Sequence, residues 1–139
     1  MSGMTTQNIG EFDGLFTDTL LLGQDLLNEI ILQINTLDSF VPEKEYFWNK
    51  QLSSLSSDII KFVELTTLLS QLLVSKKKIA FPLIKQSHIH LLFVLKGINQ
   101  AQQKQDSIVL EDLIKYELKD NLTQWKIDHI PAIKRALST

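Results

Sequence analysis

Very little in this sequence can interrupt a helix. Three prolines and five glycines are spread over 139 residues, and they fall between long stretches in which apolar residues recur every three or four positions. That recurrence places one face of a 3.6-residue helix against a core, so the chain has to satisfy several long amphipathic helices at once. The first stretch covers residues 15–37, with Leu20, Leu22, Leu26, Leu27, Ile30, Ile31, Ile34 and Leu37 on its apolar face. Gly23 lies inside it and costs about 1 kcal/mol relative to alanine, unless a neighbouring helix needs a small residue there. Residues 1–12 ahead of this pattern are expected to be disordered.

Pro42 suits the first turn of a second helix because its missing N–H would be unpaired there anyway, and Glu43 and Glu45 complement the positive helix end. Trp48, Leu52, Leu55, Ile59, Phe62, Leu69 and Leu73 continue the seam in steps of three and four, with Thr66 as its polar member. The cluster Ser53, Ser54, Ser56 and Ser57 could divide this element, since Ser57 and Asp58 also read as a cap, but the unbroken apolar register favours one helix. Lys76, Lys77 and Lys78 then stand where cations stabilise a helix C-terminus. A third helix is predicted over residues 84–103. A fourth, capped by Asp106 or Ser107, runs over residues 108–130 with Leu110, Leu113, Ile114, Leu118, Leu122 and Trp125 inward, until Pro131 kinks or restarts it. The expectation is an all-α single domain over residues 1–139: an antiparallel four-helix bundle with a short C-terminal helical turn after Pro131.

Composition narrows the function classes. A formal charge of −2 and a pI near 5.9 give no global field that would gather nucleic acid or anionic lipid. Cysteine is absent, which removes disulfides, thiolate nucleophiles and thiolate-bound metals. The start of the chain lacks a basic segment followed by an apolar one, and the apolar runs are far shorter than the roughly 20 residues that cross a bilayer, so cytoplasmic residence with no membrane partner is expected.

Three candidate chemistries arise from the residues. His88 and His90 form an H-x-H pair and His129 lies in the last helix, but on a helix residues two apart point about 200° from each other. Zinc ligands need the spacing of three or four that stacks them on one face, so no metal and no cofactor are expected and a His-dependent metalloenzyme is the weakest reading. The carboxylates Glu111, Asp112, Glu117 and Asp120 lack the Glu-x-x-His pattern of bundle metal sites and read as a solvated face, with Glu111 and Lys115 an i, i+4 pair. No nucleophile-elbow, phosphate-loop or dinucleotide motif occurs, so no catalytic residue is assigned and the chain is not expected to be an enzyme.

What remains is interaction. Tyr46, Phe47 and Trp48 are consecutive at the start of the second helix and cannot all face inward, which makes an exposed aromatic a partner-binding candidate. Adjacent apolar pairs such as Leu26 with Leu27, Ile30 with Ile31 and Leu72 with Leu73 widen the apolar arcs of helices one and two beyond what one core contact covers, so Leu26, Ile30 and Leu72 join the candidate surface. These features predict a small bacterial-type adaptor or chaperone-like module that binds a protein partner's helix or a second copy of itself. The alternative is a nucleic-acid-associated regulator using Lys76–Lys78 with Lys126, Lys134 and Arg135, although a lone arginine supplies few of the forks that read bases.

Overall fold

A computed structural model describes residues 6–76 and 81–137. Helix α1 spans Thr6–Thr36, α2 spans Glu45–Lys76 behind a single 3-10 turn at Pro42–Lys44, and α3 spans Phe81–Gln103. Helix α4, residues 107–137, is continuous but not uniform: α-helical at Ser107–Asp112, Lys119–Gln124 and Ile130–Leu137, and π-helical at Leu113–Leu118 and Trp125–His129. The described residues contain no strand, so the fold is all-α with four helices. None of these helices is long and apolar enough to cross a membrane.

Two helix starts differ from the sequence expectation, and the expected continuity of the second helix stands. Helix α1 begins at Thr6, so residues 6–12, expected to be disordered, are helical, and residues 1–5 lie outside the described residues. Helix α2 runs unbroken through Ser53–Ser57, because Leu52, Leu55 and Ile59 on either side are all held in the core and a break would lift one of them out. Helix α3 already starts at Phe81, with Pro82 inside its first turn, where the lost N–H is not needed. Lys77 and Lys78 lie outside the described residues.

The π segments have a cause in the apolar spacing. Leu110, Ile114, Leu118 and Leu122 are all buried at strict four-residue steps. On a regular helix of about 3.6 residues per turn each such step overshoots by roughly 40°, so the last of the four would stand roughly 120° away from the first. The wider i→i+5 turn at Leu113–Leu118 absorbs that drift and keeps the four residues on one seam. The second π turn, Trp125–His129, ends two residues before Pro131, whose ring in a regular helix would press on the carbonyl of Ile127, four residues back within that turn. Pro131 therefore sits in the first turn of the final α segment and restarts the helix without ending it.

Helix α1 packs on α2 and α4, and α3 packs on α2 and α4. The core between them includes Phe16, Leu27 and Ile30 of α1, Phe62 and Leu69 of α2, Leu91 of α3, and Trp125 of α4, each essentially inaccessible. The two buried threonines cost little, because Thr19 donates to Leu15 O (2.7 Å) and Thr66 to Val63 O (2.9 Å), returning their hydroxyls to the helix backbone.

The turn between α3 and α4 is built tightly. Asp106 N donates to Ala101 O (2.9 Å) and Gln105 N to Gln102 O (3.1 Å), the paired bonds of a Schellman motif, and Gln105 holds the left-handed position at φ 54°. Asp106 then caps α4, its carboxylate accepting from Val109 N at 3.1 Å. A Cβ built on Gly23 meets no atom within 4 Å, so no helix contact requires that glycine. Gly23→Ala is therefore expected to raise stability by about 1 kcal/mol in urea unfolding, the full helix-propensity difference. Gln105→Gly is expected to add about 1 kcal/mol by removing the strain of a side chain at positive φ.

Candidate functional site

Two places on the molecule concentrate chemistry. The first is the corner where α1 hands over to α2. Leu37 is buried and the chain then turns through residues 38–41, which are held at three points. Trp48 Nε1 donates to Asp38 O (3.1 Å), Phe40 packs edge-on against Trp48 with centroids 5.0 Å apart, and Phe40 N donates to Glu111 Oε1 of α4 (3.2 Å). Burial alone would raise the Glu111 pKa; the ammonium of Lys115 at 3.0 Å, together with Ser39 and the Phe40 amide, outweighs it and holds the carboxyl below its usual range. Glu111 thus departs from the solvated-face expectation. It is a partly buried clasp joining the α1–α2 connection to α4.

That clasp presents a groove of about 480 Å3, walled by Asp38, Lys44, Phe47, Trp48 and Lys50. Gln51 also lines it, and its Oε1 is buried without a hydrogen-bond partner among the described residues. Of the three consecutive aromatics, Trp48 turns inward and is 5% exposed, whereas Tyr46 and Phe47 are 74% and 65% exposed and meet edge to face at 5.7 Å.

The other expected surface residues fare differently. Ile30 and Leu72 belong to the core and Leu26 is half-buried against it, so none offers a free apolar face. The reason is that the second member of each adjacent pair finds an intramolecular neighbour: Ile31, Leu26 and Leu68 pack on the core edge, and of the pairs in α2 only Ile60 stays exposed. Apolar exposure on α1 lies instead at Leu15, Leu21 and Leu32, and at Leu22, which the sequence placed on the apolar face but which points to solvent because it lies off the seam through Leu20, Leu27 and Ile30.

The second place is the seam of α3 with its neighbours, where all three histidines lie. The helix separates His88 from His90 as their spacing requires. The His88 ring meets Thr66 Oγ1 (Nδ1, 2.9 Å) and Thr67 Oγ1 (Nε2, 3.4 Å) on α2; His90 faces α4, with Asn121 Nδ2 donating to its Nδ1 (3.0 Å) and Glu117 at 3.9 Å from its Nε2. His129 is buried and hydrogen-bonds through Nε2 to Ser87 Oγ, while Asn121 Nδ2 also donates to Ser87 O (3.1 Å). Ser87, Asn121 and His129 form a polar knot that the sequence did not advertise, because its members lie up to 42 residues apart and read singly as core or surface positions. Among the described residues no three of His, Asp or Glu gather closely enough to hold a metal.

Compared with known protein families, curated proteins and solved structures, the chain has no match.

Burial lowers the pKa of both His88 and His129 from 6.5, with the adjacent Asp128 pulling His129 weakly upward. Since the unfolded chain then binds more protons than the folded one, stability is complete above pH 6.5 and falls as the pH drops through the lowered folded values. The urea midpoint is expected to decline on acidification across this window, and His129→Asn should flatten the slope whatever it does to the absolute midpoint. Glu111→Gln is expected to cost about 1 kcal/mol near neutral pH, because it weakens the bond to Phe40 N and releases Lys115, and guanidinium titration of the two proteins measures it.

Proposed function

We propose that the four helices form an antiparallel bundle that serves as a cytoplasmic protein–protein interaction module, adaptor or chaperone-like in character and not an enzyme. The arrangement is supported by the cyclic packing α1–α2–α3–α4–α1 and by contacts that pair the end of one helix with the start of the next, such as Phe40 with Trp48 and Ala101 O with Asp106 N. The observation that carries the functional reading is the exposed Tyr46–Phe47 pair beside the 480 Å3 groove. Two large aromatics in water at a corner pinned by Trp48 and Glu111 have no ring partner beyond each other among the described residues, and aromatic anchors on a rigid base are what protein interfaces use. The cations Lys44 and Lys50 border the same groove and favour a partner segment with acidic flanks around an apolar anchor.

The test places a photo-crosslinking phenylalanine derivative at Phe47 in the native host, with the same label at the exposed Asp120 as control. The expected result is an adduct confined to one segment of one protein, formed from position 47 only and lost when Tyr46 is replaced by serine. Recovery of this chain's own peptides in the adduct identifies a second copy as the partner. Equal labelling from both positions would overturn the reading. Phe47→Asp should leave the unfolding free energy, measured in urea, within about 0.5 kcal/mol of the parent, because the side chain it removes is already in water.

A further inference from the structure

Between α3 and the second half of α4 lies a groove of about 730 Å3, distinct from the aromatic corner. Its volume is in the range of roughly 300 to 1,000 Å3 typical of small-molecule sites. The lining divides by chemistry. Leu83, Ile127 and Ala132 give it apolar walls; Gln86, Gln124 and Arg135 supply donors. Its floor includes Ser87 and His129, hydrogen-bonded to each other and, through the amide of Asn121, tied to Ser87 O and to His90, which also lines the groove. These side chains are fixed before any ligand arrives, so little ordering is left for binding to oppose.

Charge selects the ligand. Arg135 pairs with no acid among the described residues, and its planar fork accepts a carboxylate through two parallel bonds. Asp128 is the one acid in the lining; seven residues earlier on the helix, it is roughly 10 Å away along the axis, so it leaves the Arg135 end positive while disfavouring a second negative charge farther in. Leu83 and Ile127 are both more than half exposed at this groove, apolar surface that a ligand's hydrocarbon body would cover. From Ile127 to Arg135 is about 12 Å of helix, the reach of a medium-length acyl chain with its head on the guanidinium. We propose that this groove binds a small organic monocarboxylate, its carboxylate on Arg135 and its apolar body between Leu83 and Ile127.

Octanoate is the probe, titrated into the 139-residue chain and followed by proton–nitrogen correlation spectra. The expected result is saturable movement of the Gln86 and Gln124 side-chain amides and of the Arg135 Nε resonance. Arg135→Gln should weaken binding about tenfold, with partial recovery in Arg135→Lys, and Ile127→Asp should abolish it; both residues are exposed, so each variant keeps the fold. Octanamide, the neutral isostere, should bind at least about tenfold more weakly than octanoate. Absence of saturable shifts, equal affinity for octanamide, or undiminished binding by Arg135→Gln would each overturn the assignment. So would a peptide that occupies the groove through its free C-terminal carboxylate while octanoate does not, since the site would then read protein termini.

Discussion

Trp125 is the side chain around which the helices find their register. It is fully buried, stands edge-on to Phe62 of α2 at 5.7 Å, and meets His129 of its own helix at 5.1 Å. Burying an indole removes on the order of 200 Å2 from water, worth about 5 kcal/mol, whereas its Nε1, which has no partner among the described residues, costs about 1 to 3 kcal/mol. The apolar gain wins, and it fixes where α4 lies against α2. Once Trp125 is seated, His129 one turn later is carried to Ser87, and Asn121 one turn earlier to His90. The polar knot on α3 is in this sense a consequence of an apolar contact.

Most of the helix map was legible in the sequence because periodicity reports a local property. The α2 seam through Thr66 and the cap at Asp106 both follow from residues close in the chain, and both stand in the structure. The separation of His88 from His90 was legible for the same reason, since 200° is fixed by helix geometry whatever the neighbours are. The start of α1 was not. Ile9 and Phe12 do continue the three- and four-residue steps upstream of Phe16, but Gly10 and Gly14 interrupt them and weaken the local signal for a helix.

The sites were harder to see, and the reason differs for each. Tyr46 and Phe47 could be singled out because three adjacent aromatics cannot share one face, yet only the fold decides that Trp48 is the one turned in. Ile30 and Leu72 looked like surplus apolar surface because arc width counts residues on one helix and cannot count the neighbours waiting for them. Glu111 read as part of a solvated acidic face, but its partner Phe40 N is 71 residues away. The π turns were implicit in the four-residue steps from Leu110 to Leu122, a spacing that a straight α-helix cannot bury on one side.

The polar groups at the α3–α4 seam also explain why those two helices should dock in one register and not in several. An apolar seam alone tolerates sliding by one turn, since leucine and isoleucine recur at nearly every step on both helices. A slide here would separate Ser87 from His129 and Asn121 from Ser87 O together, leaving the buried side chains of Asn121 and His129 unpaired at about 1 to 3 kcal/mol each. Because the hydrogen bonds are neutral, with His129 held uncharged by burial, they supply this selectivity without the larger desolvation penalty of an ion pair. The aromatic corner is organised in the opposite way. There the polar contacts lie behind Phe47 and fix its base, so the exposed rings can meet another surface without any internal bond having to break.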